Sequence, residues 1–221
     1  MILHVLVEGP SEKVLLEGWG RRFVAGHTLR VYPHQGKGTL RDNLNVPPDS
    51  RRRGLLDQLP SKLRAFGRAL DSRTDRVLVL VDADDEDCET LKARLMALGR
   101  HIQPFPEVMF RIAVEETEAF YLGDRNAIRK AFSTVKLSAM KHYQQDAPGV
   151  GTWEIFRDVI GASRDDKVEW ATRIAPHLSR DPRRNKSSSF RQLCSAMRKL
   201  TGEGARAGAT GKAHGRRKGR Y

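Results

Sequence analysis

Five apolar residues, Val77-Leu78-Val79-Leu80-Val81, run directly into Asp82-Ala83-Asp84-Asp85-Glu86. An unbroken and mostly β-branched run of this length reads as a strand covered on both faces, the habit of parallel sheets flanked by helices. Its carboxyl end carries four carboxylates. Such a group is costly to desolvate without a counter-charge. In open α/β sheets that same edge is where ligands bind. A divalent cation held by oxygen ligands satisfies both conditions.

The N-terminus supplies a partner strand. Ile2–Val7 is a second buried run, ending at Glu8-Gly9-Pro10-Ser11-Glu12. Gly9 and Pro10 turn the chain, and Ser11 is the expected N-cap of the helix that follows. Leu15, Trp19 and Phe23 recur at i, i+4 and i+8 and give that helix one apolar face. If the two strands are parallel neighbours, Glu8 projects toward Asp82 and Asp84. Alternation along an extended segment would put both aspartates on one side, roughly 6–7 Å apart.

At 221 residues the chain holds one good-sized domain, or one domain with a helical appendage. No apolar run approaches a membrane span, and Met1-Ile2-Leu3-His4 does not read as a secretory signal. Cys88 and Cys194 lie far apart without metal-ligand spacing, so a reducing cytoplasm is the expected compartment. The net charge of +13 points to a polyanion, nucleic acid above all. Residues 202–221 carry six Lys and Arg against Glu203 and are rich in Gly and Ala, which predicts a disordered basic tail. Without that segment's +5 the rest is still +8. The plainer reading is a tail kept for solubility.

Thr28–Pro33 reads as the second strand, followed by a glycine-flanked loop, His34-Gln35-Gly36-Lys37-Gly38-Thr39. Residues 41–53, with Pro47-Pro48, look irregular. Leu55, Leu59, Leu63, Phe66 and Leu70 form a helical stripe, with Pro60 expected in a first turn or at a break. Leu91, Leu95 and Leu98 mark the helix after the acidic strand. Glu107–Val114 is a fourth strand, ending at Glu115-Glu116-Thr117-Glu118. The order predicts a Rossmann-like parallel sheet of about four strands flanked by helices over residues 1–125. A helical extension over 126–200 packs on it, with Trp153, Phe156 and Ile160 on one face and Phe190, Leu193 and Met197 on another. The tail occupies 201–221. Acids stand at three strand ends, which is unusual in one small sheet.

Glu8-Gly9 followed by a strand ending Asp82-x-Asp84 resembles the TOPRIM domain of topoisomerases, bacterial primases, small ribosomal-RNA maturases and OLD-family (overcoming lysogenization defect) nucleases. The chain is more closely similar to a bacterial TOPRIM-like family of unknown function. The likeness runs through Val7–Glu12, Gly36-Lys37, Leu55–Pro60, Val81–Lys92, Arg111–Phe120 and Gly151–Glu154. It implies a TOPRIM fold, Mg²⁺ or Mn²⁺, phosphodiester hydrolysis of DNA or RNA with DNA the favoured partner, and a bacterial defence or DNA-maintenance setting. A separate AAA- or ABC-type ATPase is the implied partner, since the chain has no Gly-x-x-x-x-Gly-Lys-Ser/Thr.

The resemblance assigns metal ligation to Glu8, Asp82, Asp84 and Glu118. Glu12, one turn past Glu8, would hold a second metal or orient water, and Lys37 would offset phosphate charge. The catalytic set is therefore Glu8, Glu12, Lys37 and Asp82. Asp85, Glu86, Glu115 and Glu116 carry weaker assignments. Duller readings stand beside these: Asp84 as a cap of the next helix, Glu12 and Glu118 as solvated first-turn acids, Lys37 as an exposed loop residue. Cys88 reads as a small buried hydrophobe, and Trp153 and Trp170 as packing. Two rival functions are a catalytically silent TOPRIM-like subunit serving an ATPase and a haloacid-dehalogenase-like phosphohydrolase. The latter leaves the Glu8-Gly9 strand unexplained.

Overall fold

Four strands, β1 (Ile2–Val7), β2 (Thr28–Pro33), β3 (Asp75–Asp82) and β4 (Val108–Ala113), pair in parallel in the order β2-β1-β3-β4. The structure is a computed structural model and describes residues 1–41, 43–44, 49, 51–147, 149 and 151–203. Pro47-Pro48 of the expected irregular stretch, and the expected tail from residue 204, lie outside the described residues. The register sets Leu6 between Tyr32 and Val79, and Asp82 beside Ala113. The chain leaves β1 for β2 on one side, then crosses back past β1 to β3. The sheet therefore reverses its winding between β1 and β3, the place where such folds open a crevice.

Alternation along the strands feeds two cores. Leu3, Val5 and Val7 of β1 join Leu78 and Leu80 of β3 on one face. Leu6, Val77, Val79 and Val81 enter the other. That is why β3 carries no polar residue from Val77 to Val81. The second face is covered by α3 (Leu55–Ala69), through Leu55, Leu59 and Leu63, and by α4 (Cys88–His101), through Leu91, Leu95 and Leu98. Pro60 departs from expectation. It lies buried inside α3, past the first turn, and the helix continues through it.

The first face is covered by the segment after β1 and by the C-terminal third. α1 (Pro10–Leu15) passes through a π-helical turn, Leu16–Gly20, into α2 (Arg21–Phe23). Its N-cap is the extended Gly9 with no side-chain cap, so Ser11 is not the cap and instead donates to Glu12. Leu15, Trp19 and Phe23 are all buried despite the π turn. The Trp19 indole N–H donates to the Ser179 carbonyl at 3.0 Å, and its ring lies 4.8 Å from Phe23 and from Phe190. After β4 come α5 (Glu118–Leu122), α6 (Arg125–Ala131), α7 (Thr152–Ile160), α8 (Lys167–Ile174) and α9 (Ser188–Leu200). Phe156, Ile160, Trp170, Phe190, Leu193 and Met197 share the core of the first face. Trp153 is only partly buried, with Arg157 and Lys167 5.3 and 5.6 Å from its ring centre. Among the described residues no helix is long and apolar enough to cross a membrane.

Candidate metal centre where the sheet reverses

Because β1 and β3 are direct neighbours, the residue after β1 falls beside the end of β3. Glu8 Oε1 accepts the Asp82 backbone N–H at 2.8 Å. Asp82 keeps the parity of Leu78 and Leu80, so it points to the first face and is only 9% exposed. Glu12, one turn into α1, is buried there too. It accepts from the hydroxyls of Ser11 at 2.8 Å and Thr117 at 3.2 Å. Glu118 opens α5 and is 1% exposed; neither of its carboxylate oxygens has a hydrogen-bond partner. Lys167 Nζ, from α8, stands 3.7 Å from Glu118 and donates to Glu116 at 2.8 Å.

Asp84 does not share the side of Asp82. Ala83 and Asp84 still donate to Ala113 and Glu115, but Asp84 turns into the left-handed region at φ 49°, which ends the alternation and carries its carboxylate outward. There it meets Lys37, whose Nζ donates to the Ala83 carbonyl at 2.7 Å and to Asp84 at 3.2 Å, with Glu86 also at 3.2 Å. Lys37 is no free loop residue: its side chain is 12% exposed. Gly36 N–H donates to the Glu8 carbonyl, while Gly38 and Gly54 pass so closely that a Cβ on Gly54 would lie 2.5 Å from the Gly38 Cα. That approach locks the loop over the strand ends. Asp84 does not cap the next helix either. Asp87 does, accepting from Thr90 N–H at 2.8 Å. Cys88, at the start of α4, is part-exposed rather than buried.

Of the acids after β4, Glu115 is committed elsewhere. It accepts from the Gly151 N–H at 2.7 Å and from the Thr152 hydroxyl, fixing the start of α7. Asp84, Asp85, Glu116, Trp153 and Glu154 face an open cleft of about 360 Å³ beside the buried cluster. Sequence reasoning named Gly151–Glu154 as a motif but gave Glu154 no role. It missed Lys167 entirely, since nothing in spacing ties that lysine to Glu118.

Burial, partly opposed by the Asp82 N–H and reinforced by the charges of Asp84 and Glu12, pushes Glu8 up to about 8. Asp82 is held well above the usual carboxylate range by burial and by Glu8, Glu12 and Glu118. Glu118 rises to about 7 through burial, with Lys167 opposing and Glu116 and Glu12 adding. Burial alone would lower Lys167, but Glu118 and Glu116 overcome it and raise the amine to about 12. The Tyr121 phenol, buried against Glu118, Glu12 and Asp82, is driven upward and has no hydrogen-bond partner. Carboxylates this reluctant to ionise make the cluster the candidate functional site of the chain.

The donor chemistry fits a hard divalent cation, since every candidate ligand atom is a carboxylate oxygen. The two partnerless oxygens of Glu118 are the specific vacancy in hydrogen bonding that an ion would fill. Among the described residues, however, no group of three or more His, Cys, Asp or Glu is set to hold a metal ion as it stands. Glu8 is engaged by the Asp82 N–H, Glu12 by two hydroxyls and Asp84 by Lys37. Ligation through Asp84 and Glu8 would require both side chains to rearrange.

Fold and site together define a parallel α/β protein with an acidic cluster at the reversal point of its sheet. The chain belongs to the family described as Domain of unknown function (DUF4276), whose pattern matches residues 7–198. Neither the curated proteins nor the solved structures give a match to this chain.

Proposed function

We propose that the protein is a Mg²⁺- or Mn²⁺-dependent nuclease of the TOPRIM type, hydrolysing phosphodiesters in DNA or RNA. The observation that carries this reading is Glu118: a fully buried carboxylate without a hydrogen-bond donor, close enough to Asp82 and Glu12 to feel their charge. Glu8, Asp82, Asp84 and Glu118 would hold the cation. When bound, it would polarise a water and neutralise charge on the scissile phosphate. Glu12, held by Ser11 and Thr117, orients water at the inner wall. Lys37, paired with Asp84, and Lys167, paired with Glu118, would offset phosphate charge. A separate ATPase would gate the activity, in a defence or DNA-maintenance system.

The rival reading, a catalytically silent subunit acting on that ATPase, has one observation in its favour: two of the acids that would ligate, Glu8 and Asp84, already hold partners within the chain. A plasmid-nicking assay separates the two. Wild type with Mg²⁺ or Mn²⁺ is expected to nick, and Glu8→Gln and Asp82→Asn to lose at least 100-fold while keeping their circular dichroism. Nicking equal in all three, or absent in all even with the ATPase and ATP added, removes the nuclease reading.

A further inference from the structure

A second charged feature lies at the other end of the sheet. α1, the π turn and α2 start at the acid edge and deliver the chain to the beginning of β2. Their fourteen residues span roughly 20 Å at helical rise. Where they end, Arg22 and Phe23, the 179–184 loop and the C-terminal half of α9 enclose an open groove of about 1280 Å³. Six arginines and Lys199 line it against two acids, Asp181 and Glu203. Asp181 is taken by Arg183 at 2.9 Å, and Glu203 faces His27 at 3.7 Å.

The cations differ in what they do. Arg22 is a structural tie, donating to the carbonyls of Ala175 and Leu178. Arg198 lies 5.0 Å over the Phe23 ring. Arg180 and Lys199 are exposed, and among the described residues their side chains make no hydrogen bond or ion pair. Burial, with the charge of Arg180 added to it, depresses Arg22.

We propose that this groove binds the phosphate backbone of a nucleic acid, as an anchor separate from the acid cluster. At about 1280 Å³ the groove is too large and open for a small anion, while arginine forks match phosphate oxygens two at a time. Residues 204–221 add six more cations and no acid, so like charge rules out that segment as the occupant. An acid cluster repels phosphate, so an anchor on the far side holds the polymer while its scissile bond approaches the cation site. The inference shares with the nuclease reading only the identity of the polymer.

The test is fluorescence anisotropy of a labelled 20-base-pair duplex with the full chain in EDTA, where cleavage plays no part. Arg180→Gln/Lys199→Gln is expected to weaken binding about tenfold near 0.15 M salt. It should also flatten the log–log salt slope by roughly 2, one contact per lost cation. Arg129→Gln/Lys130→Gln, two exposed side chains of α6, is the control and should change neither quantity. Both variants touch only exposed side chains, and matching thermal melts confirm folding. Equal losses in both variants, or no loss in the first, overturn the groove. So does polyglutamate displacing the duplex as well as unlabelled DNA does. If the groove variant binds normally while Glu8-dependent cleavage stands, only this inference falls. If duplex binding depends on the groove but no cleavage is seen, only the nuclease reading falls.

Discussion

Glu118 shows what a single buried carboxylate costs and what it offers. Its folded pKa of about 7 lies above the ordinary 4.5, so folding favours the neutral form. Stability from that preference is complete below pH 4.5 and is lost as pH rises through 7. Glu118→Gln, which never ionises, should therefore be the more stable protein at pH 8.5, by roughly 2–3 kcal/mol, and nearly equal to wild type at pH 5. Urea melts at the two pH values check this; a variant less stable at pH 8.5 contradicts it. Lys167 acts on the same group from outside. Lys167→Ala removes the charge that holds Glu118 down, so the rising limb of the cleavage–pH profile should move to higher pH. An unmoved limb with a lower plateau would make Lys167 a phosphate contact only.

Elements explain which acids reach the centre. β1, β3 and the β4–α5 connection end side by side, so Glu8, Asp82 and Glu118 are gathered by strand order alone. This much was legible in the sequence, because a doubly buried strand and three acidic strand ends leave few arrangements. Asp84 was misplaced because period-2 alternation assumes extended backbone, and the chain turns left-handed there. Ser11 looked like a cap, yet Pro10 already starts α1 behind Gly9. Glu115 serves α7 rather than the site: its bond from the Thr152 hydroxyl pins that helix's start. Thr152→Val should lower stability by about 1–2 kcal/mol, read as a shift in urea midpoint with unchanged slope. No shift would mean the bond contributes nothing net.

For the whole molecule, the C-terminal third is part of the main core. Trp19 ties the segment after β1 to Ser179 and Phe190, and Lys167 reaches from α8 into the acid cluster. Such long-range packing has no short sequence signal, which is why Lys167 and the basic groove went unread. Trp19→Ala should cost about 3–5 kcal/mol and still unfold in one transition, followed by circular dichroism. Two separate transitions would divide the molecule where the core joins it. The arrangement has a polarity: the buried acid cluster stands at the carboxyl ends of the strands, and the arginine groove lies where α2 leads into the start of β2.

That Glu8, Asp82 and Glu118 share one cation is tested most directly by Mn²⁺ titration at pH 8, with electron paramagnetic resonance counting free ion. Wild type should take up at least one Mn²⁺ per chain, and Glu8→Gln, Asp82→Asn and Glu118→Gln should each weaken that uptake tenfold or more. Uptake that is absent in wild type, or untouched by all three substitutions, contradicts a metal centre at this edge of the sheet.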